Sequence, residues 1–138
     1  MFGRLNHVGV ATPSIARDRA RYARLFGEAA VGEPLAMPDQ GVTVCFVDAP
    51  NTQIELIEPL DDASPVAAFL ARNPGGAQHH LCFEVADLDA ALDAQAAAGA
   101  RVLGAPRIGA HGTRIVFLHP REMGGVLIEL MEAPDGGH

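Results

Sequence analysis

The chain contains an internal repeat, and this repeat limits the folds open to it more than any other feature. Residues 53–58 read Gln-Ile-Glu-Leu-Ile-Glu, and residues 127–132 read Leu-Ile-Glu-Leu-Met-Glu. His7, in His-Val-Gly-Val, precedes the first hexapeptide, and His80, in His-Leu-Cys-Phe, precedes the second. Because a repeated unit of this size buries its apolar face by packing on its copy, we expect the two halves to pair.

The histidine and the glutamate of each copy are separated by nearly the same length of chain. From His7 to Glu55 is 48 residues, and from His80 to Glu129 is 49. If the copies pair, two imidazoles and two carboxylates converge, a donor set that suits Mn, Fe, Co, Ni or Zn and not Ca²⁺, which prefers oxygen alone. Taken singly, each residue has an ordinary alternative role, as a hydrogen-bonded histidine or a glutamate that faces solvent.

Composition narrows the functional classes. The chain has 138 residues, which predicts one domain, and a net charge of −7, which argues against a nucleic-acid partner because phosphate binding needs a basic surface. Cys45 and Cys82 lie in apolar runs without CxxC spacing, as expected for reduced core thiols. The sequence shows no basic-then-apolar leader and no apolar run near ~20 residues, so we expect no membrane partner and a cytoplasmic location.

Each copy is predicted to be a βαβββ module, which makes the fold class α+β. The predicted strands are 5–11, 42–47 and 52–57, then 80–85, 115–118 and 126–131, with one further strand in each copy near 31–36 and 101–104. Module one covers about 5–60, a linker with a short helix at 66–70 covers about 61–77, and module two covers about 78–132. Residues 134–138 are expected to be frayed.

One helix is predicted in each module. The helix over 88–98 has candidate N-caps at Asp87 and Asp89 and is closed by a glycine. The helix over 14–26 is amphipathic, with Ile15, Tyr22, Leu25 and Phe26 expected on the buried face. The opposite, exposed face is expected to carry Arg17, Asp18, Arg21 and Arg24.

Two glycine-containing segments hold weaker candidates. Residues 108–113, Ile-Gly-Ala-His-Gly-Thr, place His111 either in a tight turn or against a substrate. Residues 38–42, Pro-Asp-Gln-Gly-Val, hold Asp39 and Gln40 in a stretch with good turn chemistry. Neither Walker nor Rossmann glycine spacing is present, so a nucleotide phosphate loop is not supported.

The chain resembles the vicinal oxygen chelate superfamily (glyoxalase, bleomycin resistance and dioxygenase proteins) and, within it, the methylmalonyl-CoA epimerases. The matching stretches are 5–11, 51–60, 64–67, 79–85, 108–112, 117–120 and 125–130. The order His, Glu, His, Glu is shared by several enzymes of the superfamily. The Ser-Pro-Val-Ala linker, the doubled histidine and the Ile-Gly-Ala-His-Gly loop point to the epimerases.

The resemblance implies paired βαβββ modules that form an open barrel-like metal-binding cleft, usually in a dimer. It implies His7, Glu55, His80 and Glu129 as ligands of a divalent ion, namely Co, Mn, Ni or Zn. His80 is preferred over His79 because His80-Leu-Cys-Phe aligns with His7-Val-Gly-Val.

The resemblance also implies an isomerase that interconverts (R)- and (S)-methylmalonyl-CoA by proton transfer at the α-carbon through a metal-stabilised enolate. Glu55 and Glu129 are then expected to act as acid and base on opposite faces of the substrate. Some relatives carry glutamine at the position of Glu55 and a separate glutamate in the preceding strand, where this chain has Val44. The second base is therefore expected to be Glu55 or, alternatively, Asp39.

The same resemblance leaves other functions open. The main alternative is glyoxalase I, which uses the same metal with two glutamates. A ring-cleaving dioxygenase needs only two histidines and one glutamate, so Glu55 argues against it. A non-catalytic small-molecule-binding module has no use for four ligands. The expected partners are a small acyl-CoA substrate, contacted by Gln40 and His111, and a second copy in a homodimer.

Overall fold

The computed structural model describes residues 1–134, which include eight strands and three α-helices. The strands are β1 (Leu5–Ala11), β2 (Leu35–Met37), β3 (Val42–Asp48), β4 (Gln53–Pro59), β5 (Ala77–Val85), β6 (Val102–Ile108), β7 (Arg114–Leu118) and β8 (Ile128–Glu132). The helices are α1 (Ile15–Phe26), α2 (Pro65–Arg72) and α3 (Leu88–Ala97). The fold is therefore α+β, as predicted. The expected fraying lies outside the described residues, apart from Pro134.

The first compact unit, His7–His79, has the predicted βαβββ order. Its strands are arranged β2-β3-β4-β1, with β3 antiparallel to both neighbours and β1 parallel to β4. Of the strand predicted near 31–36, only residues 35 and 36 lie in β2, a three-residue edge strand, and Val31 forms an isolated bridge with Val47. In this ladder, Glu55 lies between Phe46 on one side and Gly9 on the other.

The second compact unit, from His80 onward, repeats this order with strands arranged β5-β8-β7-β6. Strand β7 is antiparallel to its neighbours, and β5 is parallel to β8. Met1–Asn6 also belong to this unit, because Gly3 donates its amide to the Glu84 carbonyl at 2.7 Å. The Arg4 and Asn6 side chains each donate to the buried Glu84 carboxylate at 2.8 Å.

Each module helix begins at a capping residue and packs an apolar first residue into the core. Ser14 accepts a hydrogen bond from the Arg17 amide, and Asp87 accepts one from the Ala90 amide, so both N-caps have the expected geometry. The core of the first unit contains Ile15, Cys45, Val47 and Leu56. The core of the second contains Val85, Leu88, Val116, Leu118, Ile128 and Leu130. Within residues 1–134, no helix is both long and apolar enough to span a membrane.

The predicted faces of α1 are partly wrong. Leu25 is 72% exposed, whereas Asp18 is buried. Asp18 and Leu25 are seven residues apart and lie only about 20° from each other around the helix, so their angular positions do not separate them. Asp18 lies in the first turn, where Arg17 donates hydrogen bonds to its carboxylate, whereas Leu25 lies in the last turn. Burial raises the pKa of the Asp18 carboxyl, but hydrogen bonds from Arg17 and Thr12 outweigh it, and the pKa is lowered.

Gly76 is a position where an added methyl group cannot fit. Its φ is +97°, and a Cβ would lie 2.7 Å from the Ala11 carbonyl oxygen. Gly99 has a similar φ of +94° but open space around it. We expect Gly99→Ala to lower the free energy of unfolding by about 1 kcal/mol and Gly76→Ala by about 3 kcal/mol, measured by urea denaturation. Equal losses in the two variants would contradict the close approach at Gly76.

Candidate metal centre

The first unit places a histidine beside a glutamate in its interior. His7 lies on β1 and Glu55 on the adjacent strand β4, and both residues are buried. The His7 Nε2 atom is 3.4 Å from the Glu55 Oε1 atom. In the parallel ladder, Gly9, two residues after His7, pairs with Glu55. Because residues two apart in a strand point to the same face, His7 lies on the same face of the sheet as Glu55.

The second unit contains the matching pair. His80 lies on β5 and Glu129 on β8, both buried, with His80 Nε2 3.0 Å from Glu129 Oε1. Cys82, two residues after His80, pairs with Glu129 in a parallel ladder. The register between histidine and glutamate is therefore the same as in the first unit. The repeat in sequence is also a repeat in geometry.

A phenylalanine accompanies each pair, and the sequence reasoning did not assign it a role. Phe46 pairs with Glu55 across the β3–β4 ladder, and its ring meets the His7 ring edge to face at 6.3 Å. Phe117 pairs with Glu129, and its ring meets the His80 ring edge to face at 5.4 Å. The signal was present, since residues 46–50 and 117–120 correspond in the repeat. These rings place apolar walls beside the polar groups.

Within residues 1–134, His7, Glu55, His80 and Glu129 form a group that could hold a metal ion. One candidate ligand atom from each residue lies within 4.8 Å of the others. Two carboxylates in a buried position are costly without compensating positive charge, and a divalent cation supplies two charges. Imidazole nitrogens and carboxylate oxygens are suitable donors for a first-row transition metal or zinc. The chemistry of the donor set therefore fits a divalent ion.

The neighbouring histidine is placed differently. His79 precedes His80 on β5, so its side chain lies on the opposite face of the strand. Its ring packs edge to face on Phe69 at 5.0 Å. His79 is not part of the four-residue group.

Asp39 and Gln40 lie in a short 3-10 helix, Pro38–Gln40, ahead of β3. Val42 pairs with Pro59, which places this turn at the far end of β4 from Glu55. Pro59 is four positions along β4 from Glu55, a distance of about 13 Å at ~3.3 Å per residue. Asp39 is also exposed, unlike the two glutamates of the group.

His111 lies in the turn between β6 and β7. Gly109 donates its amide to the Thr113 carbonyl at 2.9 Å, and Gly112 donates to the Gly109 carbonyl at 3.0 Å, so the turn is tight. His111 is half-buried there. The predicted turn is present, and the substrate contact stays a prediction.

Comparison with known proteins places the chain in a family. The sequence pattern of the Glyoxalase/Bleomycin resistance protein/Dioxygenase superfamily matches residues 6–117. The chain therefore belongs to this superfamily, also called the vicinal oxygen chelate superfamily, and the α+β fold of two βαβββ modules agrees with it.

Its similar proteins include epimerases. The chain is 52% identical over 132 residues to the ethylmalonyl-CoA/methylmalonyl-CoA epimerase of Cereibacter sphaeroides, covering 94% of this chain and 98% of that protein. It is similar to the crystal structure of methylmalonyl-CoA epimerase from Mycobacterium tuberculosis, with a TM-score of 0.83 and 34% identity over 93% of this chain and 86% of the other. It is also similar to a methylmalonyl-CoA epimerase in complex with methylmalonyl-CoA and NH4+, with a TM-score of 0.88 and 32% identity over 99% of each chain.

Proposed function

We propose that this chain is an isomerase that interconverts (R)- and (S)-methylmalonyl-CoA. The observation that carries the proposal is the buried group of two histidines and two glutamates, built from matching pairs in the two units. Similarity to epimerases over nearly the whole chain supports the acyl-CoA substrate. A reaction that needs one proton-transfer group on each face of a carbon is consistent with a duplicated site.

We infer that His7, Glu55, His80 and Glu129 together hold one divalent ion. His7 and His80 would each contribute Nε2, which in each unit is the nitrogen closest to the glutamate. Bound there, the ion would serve as a Lewis acid that stabilises negative charge on a substrate oxygen. Phe46 and Phe117 would limit water beside the group, which strengthens the electrostatic interactions within it.

Glu55 and Glu129 would carry the protons in this reaction. Epimerisation removes the α-proton of the thioester on one face and returns a proton on the other, so one carboxylate accepts a proton while the other, in its acid form, donates one. In the reverse direction the two exchange roles. Their equivalent positions in the two units support this division. Asp39 is the alternative to Glu55, and its exposed position, in the turn ahead of β3 beyond the Pro59 end of β4, argues against it.

Exchange with solvent tests the activity directly. Metal-loaded protein incubated with (R)- or (S)-methylmalonyl-CoA in deuterated water is expected to give the other epimer and to incorporate deuterium at the α-carbon. The hemithioacetal of methylglyoxal and glutathione, the glyoxalase I substrate, serves as the comparison. Isomerisation of the hemithioacetal without exchange in methylmalonyl-CoA would contradict the proposal and favour glyoxalase I.

We propose further that the protein is a homodimer. Strands β2 and β6 are the edges of their units and carry exposed apolar residues, namely Leu35, Leu103 and Ile108. Uncovered edges of this kind favour pairing between chains. Light scattering at micromolar concentration is expected to give twice the mass of the chain. A fully active monomer would contradict this expectation.

A further inference from the structure

Each unit contains, within itself, a hydrogen bond between a module helix and a second glutamate of the repeated hexapeptide, and the proposed metal ligands do not include this glutamate. Each hexapeptide ends in a second glutamate, three residues after the ligand candidate, at Glu58 and Glu132. The Ile15 amide donates to Glu58 Oε1 at 2.7 Å, and the Leu88 amide donates to Glu132 Oε2 at 3.2 Å. In both units the acceptor is on the ligand strand and the donor is the first residue of the module helix.

These amides need an acceptor from outside the helix. The first amides of an α-helix have no partner within it, and the N-cap side chains of Ser14 and Asp87 accept from later amides, at N3. A carboxylate at this end is also stabilised by the helix dipole. Ile15 and Leu88 are themselves buried, so the start of each helix is fixed in the core. Glu58 and Glu132 therefore each accept a hydrogen bond from the amide of a buried residue whose position is fixed by the core.

Each of these glutamates lies on the same strand as a proposed metal ligand, so fixing the first residue also restrains the second. Residues three apart in a strand lie about 10 Å apart on opposite faces. Glu58 and Glu132 thus hold the helix-facing side of β4 and β8, while Glu55 and Glu129 lie on the other side. A shift of the strand end relative to the helix would move the ligand carboxylate relative to its histidine, because the paired strand is stiff.

Glu132 accepts hydrogen bonds from an arginine in addition to the helix amide. Arg114 donates to Glu132 through Nε at 3.2 Å and Nη2 at 2.9 Å, and it also contacts Asp89 on α3. These hydrogen bonds lower the pKa of the Glu132 carboxyl, with the Leu88 amide contributing less. At the matching position beside Glu58, the ladder places Thr43. Removing the negative charge of the carboxylate should therefore weaken the contacts of Glu132 more than the contact of Glu58.

We propose that Glu58 and Glu132 are positioning residues that hold Glu55 and Glu129 in place by tying each ligand strand to the first turn of its module helix. The inference rests on the proposed metal site. It adds a role for residues that touch neither the four ligands nor, on this account, the substrate. It also explains why each repeated hexapeptide retains two glutamates, one for each face of the strand.

The test compares Co²⁺ affinity by titration calorimetry in Glu58→Met and Glu132→Met. Methionine keeps the length of the side chain and removes the acceptor. Glu122→Met is the matched control, since Glu122 also accepts a backbone amide and an arginine, from Arg101, but lies outside the ligand strands. We expect Glu58→Met and Glu132→Met each to bind Co²⁺ about 10-fold more weakly, which is the low end of the effect for groups that support metal ligands. The control should change by less than about 2-fold.

Conservative variants keep the test decisive if a methionine variant fails to fold. A glutamine oxygen can still accept from one amide, so Glu58→Gln should keep its Co²⁺ affinity within about 2-fold. Glu132→Gln should lose several-fold, because one oxygen cannot serve both the Leu88 amide and the Arg114 fork. Amide hydrogen exchange at Ile15 and Leu88 should accelerate only in the variant of the same unit.

The outcomes separate the two proposals. The positioning role would be overturned, and the metal site left intact, if folded Glu58→Met or Glu132→Met showed faster amide hydrogen exchange at Ile15 or Leu88 but unchanged Co²⁺ affinity. Equal weakening in Glu122→Met would also overturn it. An unsubstituted chain that binds no Co²⁺ would overturn the proposed metal site and, with it, the positioning role of Glu58 and Glu132.

Discussion

Replacing His7 or His80 by alanine is expected to abolish tight binding of a divalent ion. The unsubstituted chain should take up about one ion after reconstitution with Co²⁺, and each variant should take up well under a tenth of that after dialysis. Each histidine is buried beside a glutamate, at 3.4 Å and 3.0 Å, so no solvent-exposed side chain can easily replace the lost donor. Elemental analysis of the dialysed protein measures the result.

The matched control for this prediction is His79→Ala. His79 lies on the opposite face of β5 and packs on Phe69, so its loss should leave about one ion per chain. Circular dichroism must show that all three variants are folded. Stoichiometric, tight binding by a folded variant that lacks both His7 and His80 would rule out the assigned ligands.

Replacing Glu55 or Glu129 by glutamine is expected to slow interconversion of the epimers by about 10²–10⁴-fold, the usual contribution of a positioned acid or base. Glutamine keeps an oxygen that can contact a cation, so metal binding should partly survive while proton transfer fails. Each variant retains one base. Deuterium exchange should therefore persist from one epimer, and Glu55→Gln and Glu129→Gln should retain it for opposite epimers.

Asp39→Asn provides the comparison for the second base. Asp39 is exposed and lies in the turn ahead of β3, at the Pro59 end of β4, so the variant should keep activity within a few-fold. Rates for both epimers are measured by deuterium incorporation. If Asp39→Asn were inactive while Glu55→Gln kept most of its activity, Asp39 would be the second base and Glu55 a ligand only.

Much of the local structure follows from patterns within short segments. Strand alternation and turn residues predict β1, β3, β4, β5, β7 and β8, and the capping residues mark where the helices begin. The strands predicted near 31–36 and 101–104 overlap β2 at only two residues and β6 at only three. Pro34 directly precedes β2, Gly104 and Pro106 interrupt β6, and the position of each strand is fixed by pairing with β3 or β7.

The two modules, and the residue types that each contributes to the group, can be predicted from the repeat because it preserves the spacing between a histidine and a glutamate. The side chains that surround the group could not be predicted in this way. Phe46 and Phe117 lie beside the glutamates because of the register between strands, and Asp18 is buried because arginine and threonine partners reach it. The contacts of Glu58 and Glu132 with helix amides likewise join residues more than 40 positions apart. Such neighbours are set by the packing of strands and helices, and no spacing along the chain specifies them.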